Sequence, residues 1–162
     1  LAVLNEDKLD TLPENYANAL RDAWGPVRVV IAAQQEHGDE VVGPLYEALG
    51  TRFHNQALPR NRETIVAALE AVGLPASLAD YADRDTYDTE LRASHKEGID
   101  KVGQEVGTPV IAVNGVAFFG PVVTPAPKGE AAGRLWDGCV LVASTPGFYE
   151  LKRSRTQGPI FG

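Results

Sequence analysis

Apolar residues recur at helical spacing through most of the first two-thirds of the chain. From Glu14 onward, Tyr16, Ala19, Leu20, Ala23 and Trp24 fall three or four residues apart, which predicts an amphipathic helix. Gly25-Pro26 is expected to break or kink it, because proline has no N–H for the helical ladder. The pattern resumes over residues 27–35 and stops at Gly38. Residues 39–53 predict the next helix, with Val42, Leu45, Tyr46, Leu49 and Phe53 along one side. A loop over 54–61 precedes a helix at 63–72, where Gly73 and Pro75 stand as stop signals. A short helix is expected at 76–82. Asp85-Thr86 then reads as the cap of a long helix to about Val106, with Tyr87, Leu91, His95, Ile99 and Val102 as its stripe.

The pattern changes at Gly107. Thr108-Pro109 introduces Val110-Ile111-Ala112-Val113, a compact run rich in β-branched residues and suited to a strand. Asn114-Gly115 follows, the pair best able to form a two-residue hairpin turn, since both positions tolerate positive φ. The return strand is expected at 116–119, closed by Gly120-Pro121. A proline-rich loop over 122–128 leads to a last helix at 129–143. At the other end, the apolar run Leu1-Ala2-Val3-Leu4 reads as a short strand, and the polar residues 5–11 as a connection to the first helix.

The 162 residues carry 15 Lys plus Arg against 22 Asp plus Glu, a formal charge of −7. That balance argues against a nucleic-acid partner, which needs clustered cations. The one basic cluster, Lys152, Arg153 and Arg155, reads as a solvated tail. No apolar run is long enough to span a bilayer, so no membrane partner is expected. A single cysteine, Cys139, excludes an internal disulfide and a zinc site built on several thiolates, and suggests a cytoplasmic location. It lies among apolar residues inside the last helix and is expected to be a core residue. His37, His54 and His95 have no metal-ligand spacing, so no metal is expected. No glycine loop is suited to phosphates, and no carboxylate pair stands out for acid–base work.

The stretch Val106 to Pro121, Val-Gly-Thr-Pro-Val-Ile-Ala-Val-Asn-Gly-Val-Ala-Phe-Phe-Gly-Pro, resembles the DsbA-like thioredoxin-fold oxidoreductases, in their actinobacterial, mycothiol-dependent nitroreductase branch. Further matches run along the chain: Leu4 to Glu6, Leu12 to Tyr16, Trp24 to Arg28, His54 to Gln56, Gly129 to Asp137 and Phe148 to Arg155. The resemblance implies an α/β, thioredoxin-like fold with a helical insertion domain. Residues 1–5 would be a remnant of the N-terminal half, 12–84 the insertion, and 85–162 the C-terminal half. The first strand and first helix would be absent from this chain. It starts at Leu1 without any methionine and is read as N-terminally truncated.

The resemblance also implies chemistry. Such enzymes attack with a Cys-x-x-Cys pair at a helix N-terminus, where the helix field lowers the thiol pKa. These residues hold no such pair, so no catalytic residue is expected here and the chain alone is expected to be inactive. The Thr108–Pro109 peptide is expected to be cis, leaving the backbone of Thr108 free to pair with an extended substrate. Asn5 and Tyr16 would face the same cleft, which makes Thr108, Pro109, Asn5 and Tyr16 the candidate substrate-binding residues. The implied partners are mycothiol as thiol co-substrate, with no tightly bound cofactor, and a small-molecule or disulfide substrate. Trp24 is expected to pack the helical core. Two alternatives stand beside this reading: a non-catalytic helical binding module on the same scaffold, and a glutathione-linked isomerase or transferase relative. Strand edges left unpaired by the missing segment lead to an expectation of self-association.

Overall fold

A computed structural model describes residues 2–161. The chain is α/β, mostly helical with one small two-stranded sheet, and it divides into two compact units, Leu1–Lys96 and Glu97–Gly162.

The first unit opens with a helical turn, α1 (Ala2–Asn5), which runs into a 3-10 segment, Glu6–Thr11. The strand expected at residues 1–4 is therefore corrected to helix for Ala2 to Leu4, while Leu1 lies outside the described residues. Four apolar residues fit either geometry, and among the described residues no neighbouring strand is present to hold them extended. Helix α2 (Glu14–Arg21) and helix α3 (Trp24–His37) follow. The break falls at Asp22-Ala23, three residues earlier than Gly25-Pro26 suggested. Pro26 instead lies in the first turn of α3, where a helix needs no internal N–H donor.

Residues 39–55 form one helical stretch of changing pitch: a 3-10 turn (Asp39–Val41), α4 (Val42–Gly50) and a π turn (Thr51–Asn55). The Gln56 N–H donates to the Thr51 carbonyl at 3.0 Å, the five-residue spacing of a π turn. Arg52 ties this end down, donating to the carbonyls of Ala48 at 2.9 Å and Ala67 at 2.8 Å. Helix α5 (Arg62–Ala71) is capped by Asn61, whose side chain accepts from the Thr64 N–H at 3.0 Å. A 3-10 segment, Ala76–Asp83, then packs against both α3 and α5.

The core lies among these elements. Val29, Ala32 and Ala33 of α3 meet Leu45 and Leu49 of α4, Ile65, Ala68 and Leu69 of α5, and Leu78 and Ala79 of the 3-10 segment. Small residues set the spacing. A Cβ added at Gly25 would stand 3.4 Å from that of Ala82, so the start of α3 runs close against the 3-10 segment.

Helix α6 (Asp88–Ile99) is about seven residues shorter than its stripe suggested. It ends where Gly103, at φ +90°, donates to the Ile99 carbonyl at 2.8 Å, a left-handed stop that glycine adopts without steric cost. In the second unit, β1 (Val110–Val113) and β2 (Val116–Phe119) pair antiparallel around Asn114 and Gly115, at φ +52° and +81°. Those paired positive φ values are what a tight hairpin needs. Helix α7 (Glu130–Ala143) packs against β2, and Phe118 meets Phe148 edge-on at 6.0 Å. No helix among the described residues is long and apolar enough to cross a membrane.

Candidate functional site

The hairpin register decides which backbone groups are available. Val113 pairs with Val116, Ile111 with Phe118, and the Gly120 N–H donates to the Pro109 carbonyl at 2.8 Å. In an antiparallel ladder, alternate residues direct both backbone groups to the same neighbour. Residues 109, 111 and 113 thus spend theirs on β2, and Pro109, lacking an N–H, occupies a position where only its carbonyl is used. Val110 and Ala112 direct their N–H and C=O to the other side of β1, where no strand pairs among the described residues. Thr108 stands at the head of that open edge. Thr108 and Pro109 are both exposed, and the peptide between them is cis, as are Gly120–Pro121 and Thr124–Pro125.

Asn5 and Tyr16 belong to the first unit. Asn5 ends α1, partly buried, and Tyr16 stands exposed in the first turn of α2. Thr108 and Pro109 lie side by side in the second unit. Cys139 is a free thiol on α7 and only partly buried, less enclosed than the core position expected of it. Among the described residues no cluster of His, Cys, Asp and Glu could hold a metal ion.

One charged constellation had no signal in the sequence. Arg28 of α3 grips Asp88 of α6 with two hydrogen bonds, at 2.8 and 2.7 Å, across 60 residues of chain. Arg92, one turn further along α6, makes a second two-point pair with Glu6 across 86 residues. Trp24 stands beside both cations, with guanidinium carbons 5.1 Å (Arg28) and 5.5 Å (Arg92) from its ring centre. A flat, delocalised cation on an indole face is favourable in itself, and the stacking orients each fork toward its carboxylate. The hydrogen bonds from Arg28 hold the Asp88 carboxyl below the usual range, and those from Arg92 do the same for Glu6. Trp24 thus has a more specific place than the core packing expected of it: it organises two ion pairs that pin α6 to the start of α3 and to the segment after α1.

A polar cleft of about 320 Å3 opens beside this cluster, lined by Arg21, Trp24, Arg28, Arg60, Arg62 and Asp83. Arg28 and Arg62 are already paired, with Asp88 and with Asp80 at 2.6 Å. An apolar groove of about 250 Å3 also lies within the first unit, between Val27, Val30 and Ile31 of α3 and Leu91 and His95 of α6. Nearby, the Glu36 carboxylate pushes the Tyr81 phenol up to about 12, while the Tyr87 hydroxyl donates to it at 3.4 Å.

Comparison with known proteins places these features in a lineage. The model of the family described as Rv2466c-like, mycothiol-dependent nitroreductase Rv2466c, matches residues 1–153. An uncharacterized protein, Rv2286c, of Mycobacterium tuberculosis (strain ATCC 25618 / H37Rv) is 31% identical over 120 residues. Those residues are 74% of this chain and 49% of that protein, so the chain spans about half the length of the curated relative it matches.

Proposed function

The chain belongs to the Rv2466c-like family of mycothiol-dependent nitroreductases, and from that membership we propose that its residues form the substrate-facing part of a mycothiol-dependent thiol–disulfide reductase. We take the architecture to be thioredoxin-like of the DsbA type, with α2 to α5 as the helical insertion. The observation that carries the reading is the exposed Thr108-Pro109 pair at the head of β1.

An extended thiol substrate gains affinity from main-chain hydrogen bonds to such an exposed segment, whatever its side groups are. Mycothiol supplies amide groups that can pair in this way. In the overall reaction two thiols become one disulfide, and the two electrons and two protons released pass to the acceptor, a disulfide or a nitro compound. The thiolate that attacks is not furnished by Cys139. That sulfur belongs to the tenth residue of α7, away from the N-terminal end of its own helix. The role we assign within the second unit is binding and orientation: Thr108 through its backbone groups, with Pro109 shaping the start of β1.

A binding titration with mycothiol tests this. Thr108→Pro removes an N–H at the head of β1, outside the two paired strands, so the thiol loses a partner. Binding is expected to weaken by about ten-fold, the equivalent of about 1.4 kcal/mol. Unchanged binding in this variant would contradict the proposal. Cys139→Ser is expected to leave binding as it is.

A further inference from the structure

The first unit gathers its cations against the trend of its charge. Residues 1–96 hold nine Lys plus Arg against sixteen Asp plus Glu, so the whole net charge of −7 falls there. Yet four of those nine, Arg21, Arg28, Arg60 and Arg62, line the polar cleft of about 320 Å3. Separate parts of the chain bring them together: α2 supplies Arg21, α3 supplies Arg28, and the entry to α5 supplies Arg60 and Arg62. All four are arginines, whose planar forks meet phosphate oxygens two at a time. The floor beneath them is firm, because Ile65 and Ala79 belong to the buried core.

These cations are not equally committed. Asp88 occupies Nε and Nη2 of Arg28, and among the described residues Nη1 keeps its two N–H donors unused. Arg62 is paired with Asp80 at 2.6 Å. Arg21 donates to the neutral side-chain oxygen of Asn18 at 2.8 Å, and the Arg60 guanidinium lies 5.4 Å from the centre of the Phe53 ring. Among the described residues neither Arg21 nor Arg60 has a carboxylate partner, although the unit is rich in carboxylates. The rest of the polar lining is of another kind. Asp22 and Asp83 present carboxylates, which repel a bare anion and accept readily from hydroxyl groups. Such a lining suits a molecule that brings a doubly negative group to the guanidiniums and hydroxyl donors to the carboxylates.

We propose that this cleft is a ligand site for a small phosphorylated polyol, a sugar phosphate or its like. Arg21 and Arg60 hold the phosphate, with the unused Nη1 of Arg28 as a further donor, and the hydroxyls donate to Asp22 and Asp83. The cleft is near the lower end of the range for small-molecule pockets, about 300–1,000 Å3, which fits a ligand of this size. No glycine loop is required, because guanidinium N–H groups take the place of backbone donors. The site lies wholly within the first unit and uses none of the residues assigned to the thiol, so the two readings stand or fall separately.

Isothermal titration of the 162-residue chain with glucose 6-phosphate, ribose 5-phosphate and glycerol 3-phosphate provides the test, with glucose and inorganic phosphate as controls. At least one ester is expected to bind saturably at one site, at least about ten-fold more tightly than either control, and more weakly as salt is raised. Arg21→Gln and Arg60→Gln alter exposed side chains, and each is expected to weaken that binding by at least about ten-fold with an unchanged far-ultraviolet circular dichroism spectrum. Thr108→Pro, in the second unit, is expected to leave it as it is. Absence of saturable binding by all three esters overturns the proposal. So does inorganic phosphate or glucose binding as tightly as the best ester, or binding that survives both arginine variants.

Discussion

The two units of this chain solve opposite problems with similar residues. Among the described residues, sixteen of the eighteen buried apolar side chains lie in Leu1–Lys96; Ile99 and Ala143 are the other two. Ten of the fourteen exposed large apolar side chains lie in Glu97–Gly162, including Trp136, Leu141 and Phe119. Helices in the first unit bury their stripes against one another and leave a strongly acidic surface. The hairpin and α7 leave apolar side chains and strand edges in the open on a neutral surface. A region that buries its apolar area is built to be stable, and one that displays it is built to be covered or to bind.

The largest expected effect comes from cutting into the first core. Leu45 and Leu69 are fully buried, so Leu45→Ala or Leu69→Ala is expected to cost about 2–5 kcal/mol in chemical denaturation. A cost near zero would mean that this core does not set the stability. Next comes the Arg28–Asp88 pair, which is four-fifths buried. Asp88→Asn leaves a partly buried guanidinium short of its partner and is expected to cost about 1–3 kcal/mol. The Arg92–Glu6 pair is more exposed, and Glu6→Gln is expected to cost under about 1 kcal/mol.

The same pairs predict a pH dependence. Asp88 and Glu6 both have carboxyls held below the usual range in the folded state. Their contribution is fully present above the unfolded carboxylate range, about pH 4, and is lost as pH falls through the lower folded values. Denaturation of the wild type should therefore show a loss between about pH 5 and pH 3 that is smaller in Asp88→Asn. An equal loss in both would assign the acid sensitivity to other groups. The smallest effect is expected in the second unit. Trp136→Ser and Leu141→Ser alter exposed sites and should change the stability of the monomer by no more than about 0.5 kcal/mol.

The contrast between the units also explains what could be read from the sequence. The hairpin was legible residue by residue, because β-branched strands and Asn-Gly act through local backbone preferences. So were α5 and α7, within one residue at each end, and the termination of α3 at Gly38. The short run at residues 2–4 was not, since a few apolar residues do not distinguish a strand from a helical turn without their neighbours. The start of α3 was misplaced because Pro26 can sit in a first turn as easily as it can break a helix. The Trp24 cluster was out of reach for another reason. Arg28 with Asp88, and Arg92 with Glu6, are brought together only by tertiary packing, and nothing in their spacing along the chain marks them as partners. The candidate binding residues Thr108, Pro109, Asn5 and Tyr16 all rested on family resemblance, and local pattern predicted only the strand and turn that follow Thr108-Pro109.

The central claim is that the exposed Thr108-Pro109 segment receives a thiol substrate, and amide chemical shifts in a mycothiol titration of the isotopically labelled chain report on it directly. Saturable shifts centred on Thr108 are expected, with the shifts of its neighbours lost in Thr108→Pro. Shifts confined to the cleft around Trp24 and Arg60, or no saturable shift at all, would contradict it.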